Sequence, residues 1–385
     1  MITVYISTPG VKIYKEGDTL KVKKGDTIYH TIFPFRTEQI VAFSKVEMTW
    51  SAMLTLLKNR ITTVFLNKNG HYNGRLVPPY DSNVLLRRMQ YKCLDDKEKC
   101  LIFSKEVVKA KLKNQLIMLK RIARFQKKNL NKAQSEIERL LSNVESAKDV
   151  SSLRGYEGAG ARAYFSVFNY GFIKPQGFIK RIRRPPTDPV NAVLSLLYTL
   201  LFARVDSVVE KESLDPYVGA FHALGYGRRS LALDLMEELR TIIADTLVFS
   251  LFNMNIIDSH DFKRITEHDD EYEEFLSPQE KQSPDILKDK MGSFSDVPLE
   301  YETSAATSLE DDGHESYKGN EYPMILSEGA LKKVIAQFER KLETSFTYPI
   351  ENKKMTYREA ITKQVKQYTA FLRGEREKYR PLVML

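Results

Sequence analysis

The stretch Gly74-Arg-Leu-Val-Pro-Pro-Tyr-Asp-Ser-Asn83 separates two kinds of sequence. Pro78 and Pro79, side by side, fit neither a helix interior nor a central strand, because proline has no amide hydrogen and a fixed φ. On the N-terminal side, segments rich in Ile, Val, Thr, Phe and Tyr occupy residues 3–7, 19–22, 28–33, 39–43 and 63–67. Turn signals separate them, among them Pro9-Gly10, Gly17-Asp18, Gly25-Asp26 and Asn69-Gly70. That spacing is the pattern of a compact β-sandwich. Residues 51–59, with Met53, Leu54, Leu56 and Leu57, read as one short helix within it.

From Asn83 onward the apolar spacing becomes helical. Residues 106–130 place Val107, Ala110, Leu112, Leu116, Leu119, Ala123 and Leu130 among many Lys and Arg, which reads as an amphipathic helix with a basic face. Residues 131–144 continue in that style. Pro189 opens a nearly uniform apolar helix through Ala192, Leu196, Leu197, Leu200 and Leu201, with Asp188 placed to cap it, and this is the expected core helix. A second buried element spans 230–257, and helical patterns return at 331–342 and 357–371. The fold class expected is α+β: an N-terminal β-sandwich-like domain, residues 1–80, followed by a larger all-α domain, residues 81–385, that carries the chemistry.

Composition bounds the function. The chain of 385 residues is 42% hydrophobic and 28% charged, which excludes global disorder and leaves material for more than one domain. Cys93 and Cys100 are the only cysteines, so no disulfide framework can form, and a reducing cytoplasm is expected. The longest nearly apolar run, 192–203, falls short of the ~18 residues that span a bilayer, and no membrane partner is expected. Lys and Arg exceed Asp and Glu by 59 to 50. Residues 267–315 hold 16 acidic and 3 basic residues, a net of −13 that leaves +22 on the rest. A body that basic favours nucleic acid. The acidic stretch at about 267–320, with three prolines and few aliphatics, reads as a mobile insertion.

Three segments concentrate chemically capable residues. Glu157 sits among the small residues Gly155, Gly158 and Gly160; Asp188 and Asn191 flank Pro189; and His222 precedes Asp234, Glu237 and Glu238, which share one face of a helix. An imidazole with carboxylates suits Mg²⁺ or Mn²⁺ acting on a phosphodiester. Each residue also has a plainer role: Glu157 as a helix-terminal cap, His222 as a hydrogen-bonded core histidine, the acidic triplet as a solvated face.

The strings Glu157-Gly-x-x-Ala-x-x-Tyr164-Phe165, Arg184-Pro-Pro-x-Asp188-Pro-x-Asn191-Ala and His222 … Gly227-Arg-x-Ser230-Leu-Ala-Leu-Asp234-Leu-Met-Glu237 resemble the signature blocks of the CRISPR-associated adaptation integrase family, that of the first Cas protein. The resemblance extends over Val4 to Gly10, Gly74-Arg75-Leu and Arg87 to Tyr91, and omits the acidic stretch. It implies a dimerising N-terminal β domain and a helical catalytic domain, with Glu157, His222 and Glu237 as catalytic metal ligands and Asp234 as the accessory carboxylate. It also implies a homodimer that joins the small second Cas protein and inserts double-stranded DNA fragments at a CRISPR repeat. Lys109, Lys113, Lys120, Arg121, Arg124, Arg181, Arg183 and Arg184 are the expected DNA-backbone contacts. A stand-alone metal-dependent nuclease and a non-catalytic DNA scaffold are the competing readings.

Overall fold

The computed structural model describes residues 2–43, 45–67, 70, 72–79, 83–182, 185–223, 225, 227–266 and 322–384. The acidic stretch, Arg183 and Arg184 lie outside them. The N-terminal strands are β1 (Ile2–Ile6), β2 (Val11–Glu16), β3 (Thr19–Lys24), β4 (Thr27–Ile32), β5 (Thr37–Phe43), β6 (Val46–Met48), β7 (Thr62–Leu66) and β8 (Tyr72–Leu76), with α1 (Trp50–Lys58) before β7. They form two four-stranded sheets, β1-β5-β7-β8 and β4-β3-β2-β6. Gly17 and Gly25 take φ of +57° in the two-residue turns that join β2 to β3 and β3 to β4, as tight hairpins require.

β5 shows why the sheets sit where they do. It pairs in parallel with β1 (Val4 opposite Ile40) and with β7 (Val41 opposite Val64). Ile40 and Ala42 enter the core between the sheets with Val11, Ile13, Leu20, Ala52 and Leu56. Val41 and Phe43 enter the core of the helical region, with Val64 and Leu66. Successive side chains of a strand face opposite ways, so a strand covered on both sides reads as an unbroken apolar run.

The remainder is mostly helical: α2 (Val84–Asp95), α3 (Lys97–Gln126), α4 (Asn131–Ser146), α5 (Val150–Phe165), α6 (Pro189–Lys211), α7 (Ser230–Leu239), α8 (Thr246–Asn253), α9 (Glu328–Leu342) and α10 (Tyr357–Leu372). Asp188 caps α6, its Oδ1 accepting from the Asn191 amide at 2.9 Å. Strands also occur here, so the region is not all-α. β9 (Phe262–Arg264) pairs with β10 (Met324–Leu326), and β11 (Ser345–Tyr348) forms a hairpin with β12 (Lys353–Thr356). Asn352, at φ +52°, supplies the left-handed residue of that turn.

Two further expectations change. The helix placed at 106–130 begins at Lys97 and stops at Gln126, where Lys127 is left-handed. It is a central helix, since Ser104, Lys111, Asn114 and Gln115 are buried along with its apolar residues. α6 extends past the apolar run to 23 residues, long and apolar enough to cross a membrane, yet 94% of its most apolar window is buried inside the fold. Its C-terminal half docks the sheets: Gln39 Nε2 donates to the Ala203 carbonyl at 3.0 Å, and Arg204 pairs with Glu38 at 2.7 Å.

Candidate active site

α3, α5 and α7 bring the site together. α5 approaches α3 closely at Gly160, where a Cβ would stand 2.2 Å from Leu112 Cδ2. This proximity brings Glu157, in the middle of α5 and 1% exposed, to the Lys111 ammonium of α3, with which it forms an ion pair. Glu157 therefore does not cap a helix end.

Asp234 organises the loop that presents His222. Its Oδ2 accepts the Ala220 and Phe221 amides at 2.7 and 2.9 Å, and its Oδ1 accepts the His222 amide at 2.9 Å. The loop can close on α7 because Gly219 has no side chain; a Cβ there would lie 2.5 Å from the Ser230 carbonyl carbon. The same Oδ1 is 2.7 Å from His222 Nδ1. A carboxylate only accepts, so Nδ1 carries the proton and Nε2 presents its lone pair. Nε2 is buried without a hydrogen bond among the described residues, 3.7 Å from Glu237 Oε1.

Glu237, one turn after Asp234, is 1% exposed. Lys111 Nζ lies 2.9 Å from its Oε2, and Arg240 reaches its Oε1 at 2.8 Å. The triplet Asp234, Glu237 and Glu238 is thus a buried set and not a solvated face. Glu238 accepts from Gln364 and Tyr379, each at 2.8 Å, and from the Leu382 amide at 2.7 Å. Burial pushes its carboxyl up to about 8. Asn114 adds a clamp, donating to the Glu238 and Leu382 carbonyls at 2.9 and 3.0 Å. The C-terminal segment is in this way tied to α3 and α7, two of the three helices that carry the site.

Between α7 and α8 a single π turn, Arg240–Asp245, shifts the helical phase so that Arg240 and Asp245 both face inward. Arg240 stacks over the Tyr198 ring at 5.0 Å. Asp245 accepts from the Tyr198 and Tyr164 hydroxyls at 2.7 and 3.0 Å, and burial raises its carboxyl above the usual range.

Among the described residues no three His, Cys, Asp or Glu side chains already form a metal cluster. The donor set nevertheless fits a divalent ion on two observations: His222 Nε2 is buried and open toward Glu237, and the space between Glu157 and Glu237 is already held by a cation, Lys111.

The expected DNA contacts are dispersed. Lys113, Arg121 and Arg124 are exposed. Lys109 pairs with Glu106 at 2.9 Å and with Glu145, and Lys120 pairs with Glu138 at 2.8 Å. Arg181 is half-buried and donates to Asn191 Oδ1 at 2.8 Å and Ser195 Oγ at 3.1 Å. Lys111, one of the lysines within residues 106–130 that the amphipathic reading assigns to a basic face, belongs to the site instead. Its position three residues after Val108 and four after Val107 puts it on the buried stripe, a signal present in the sequence. Arg240, Asp245 and Tyr198 carried no such signal.

Comparisons with known proteins bear on the family and the fold. The family model described as CRISPR associated protein Cas1 matches residues 4–280. The CRISPR-associated endonuclease Cas1 2 of Rhodospirillum rubrum is 37% identical over 280 residues, covering 68% of this chain and 79% of its own length. Among solved structures, a casposase bound to integration product superimposes with a TM-score of 0.76 at 22% identity, over 99% of this chain and 93% of that one. A Cas6-RT-Cas1–Cas2 complex gives 0.76 at 21% identity, over 99% of this chain and 36% of the other. These two structural likenesses speak to the fold.

Proposed function

The chain belongs to the Cas1 family of CRISPR-associated proteins, and from that premise we propose that it is a divalent-metal-dependent DNA endonuclease and integrase of CRISPR adaptation. The observation that carries the reading is the burial of Glu157, His222 and Glu237 around one polar centre, with Asp234 fixing the imidazole. Glu157, Glu237 and His222 Nε2 would hold Mg²⁺ or Mn²⁺. The bound ion supplies Lewis-acid polarisation of the phosphodiester and stabilises the charge that grows on its oxygens.

The chain's own residues do the rest. Asp234 keeps the proton on Nδ1, so that Nε2 stays a donor of electrons. Arg240, held between Glu237 and the Tyr198 ring, sets the position of the Glu237 carboxylate. A DNA 3′-hydroxyl attacking phosphorus forms the new ester and expels the old 3′-oxygen, which is strand transfer; water in its place gives cleavage.

The partners proposed are double-stranded DNA fragments, the CRISPR repeat, a second copy of the chain and the small second Cas protein, in the cytoplasm. Exposed Tyr29 on β4, Phe35 in the turn between β4 and β5, and Trp50 at the start of α1 support self-association through the N-terminal region. The test combines purified protein, its small partner, Mg²⁺ or Mn²⁺, a short duplex with free 3′ ends and a plasmid carrying a leader and repeat. Covalent joining at the repeat is expected. Nicking without joining would indicate a stand-alone nuclease, and metal-independent binding with no product would leave only a scaffold.

A further inference from the structure

We propose that Lys111 is a built-in counter-ion of the site: it neutralises Glu157 and Glu237 in the metal-free protein and competes with the divalent ion for them. This rests on the metal reading above and deepens it. Arg240 meets Glu237, whereas Lys111 meets both carboxylates, and its side chain is 6% exposed beside side chains of 1% and 0%. Two carboxylates withdrawn from water and sharing one small space repel each other and lose hydration, a cost an ammonium between them offsets. Asn114, one turn on, locks this part of α3 to the Glu238 and Leu382 carbonyls, so the ammonium is delivered from a fixed backbone.

A divalent ion drawn to the same two carboxylates would stand close to Nζ, and the like charges repel. The lysine side chain has a flexible four-carbon stem and presents a point charge, not a rigid fork, so it can withdraw without moving α3. The consequence is a site preserved before metal arrives, at the expense of some metal affinity.

The full chain tests this without an activity assay. Lys111→Gln is expected to lower the thermal midpoint in EDTA by several degrees, yet to bind Mn²⁺ about tenfold tighter than wild type, read from the free Mn²⁺ signal by electron paramagnetic resonance. Lys111→Gln/Glu157→Gln is expected to recover the metal-free midpoint, because one carboxylate charge no longer needs a partner. Wild-type or weaker Mn²⁺ affinity in Lys111→Gln would overturn the competition. A double variant no more stable than the single one would overturn the counter-ion role. If no form binds Mn²⁺, the metal reading fails and the double variant alone judges the counter-ion. If the single variant does not fold, a folded double variant is the expected rescue, and its failure to fold counts against the proposal.

Discussion

Two of the buried charge clusters among the described residues are built differently. Where β8 meets α6, Arg75 pairs with Asp206 and Glu210, and Arg229 reaches Asp206 Oδ1 at 2.5 Å and Glu210 Oε1 at 2.7 Å. Two guanidinium forks face two carboxylates, and Arg229 also stacks on Tyr217 at 4.8 Å. In the other cluster the bridging cation is a lysine, and His222 Nε2 is buried without a hydrogen bond among the described residues. Rigid forks that match their acceptors make a permanent joint. A point charge beside an open imidazole nitrogen makes a site whose cation can be exchanged. Burial of charge is common to both; the capacity to accept a new partner distinguishes the proposed metal site.

The largest effect expected from this contrast is on chemistry alone. Glu157→Ala, His222→Ala and Glu237→Ala should each lower nicking and strand transfer by about 10³-fold or more, the loss of several kcal/mol of transition-state stabilisation. The proteins should remain folded and able to bind duplex DNA. Wild-type turnover in any one of the three would remove that residue from the site.

The joint should respond in the opposite sense. Asp206→Ala leaves two buried guanidinium groups facing Glu210, and should cost about 3–5 kcal/mol of stability, measured by denaturant unfolding. Turnover per folded molecule should hardly change, since Asp206 does not touch the site. If turnover falls as steeply as it does for Glu237→Ala, the division between joint and site is wrong.

A smaller effect is expected inside the site, at Asp234. Asparagine keeps one oxygen, which can still accept from the Ala220 and Phe221 amides, but it places an NH2 donor where Oδ1 accepted from the His222 amide and Nδ1, and it has lost the charge that holds the proton on Nδ1. Asp234→Asn should lower metal affinity or turnover by roughly 10- to 100-fold, as a lost supporting bond does. A larger loss than that of Glu237→Gln would exchange the two assignments.

How much of this was legible in the sequence follows from the range of the interactions. The apolar run Ile40 to Phe43 and the Asp188-Pro189 start of α6 are local signals, and each became the element it announced. The strands Val11–Glu16, Val46–Met48 and Tyr72–Leu76 were passed over. The first of these alternates plainly, with Val11 and Ile13 buried and Lys12 exposed; the second is only three residues long; and the third is half-buried apart from exposed Asn73 and contains Gly74. Glu157, His222, Asp234 and Glu237 could be named from sequence, but their convergence depends on α5 and α7 closing on α3. Lys111 was misplaced because its partners lie on other helices, and a lysine among lysines looks solvated until those partners are known. The π turn leaves no mark at all, since its residues suit an ordinary α-helix equally well.

The smallest expected effect concerns the outer side of α3, and it separates lysines that are spent from those that are available. Lys109 and Lys120 are engaged by Glu106, Glu145 and Glu138, so releasing them to a phosphate gains little. Lys113 and Arg124 are exposed, and Lys113 opens on a groove of about 790 Å³ that it shares with the ion-paired Lys109 and with other basic and acidic side chains, among them Arg376, Arg380 and Glu375. Each lysine or arginine that neutralises a duplex phosphate contributes up to about 0.9 to the slope of log affinity against log salt. Lys113→Gln/Arg124→Gln should therefore flatten that slope by more than Lys109→Gln/Lys120→Gln does, and alike for all sequences, because backbone contacts carry no base information. Equal slopes in the two double variants would mean that DNA breaks the existing ion pairs on binding, and exposure in the free protein would then be a poor guide to its path.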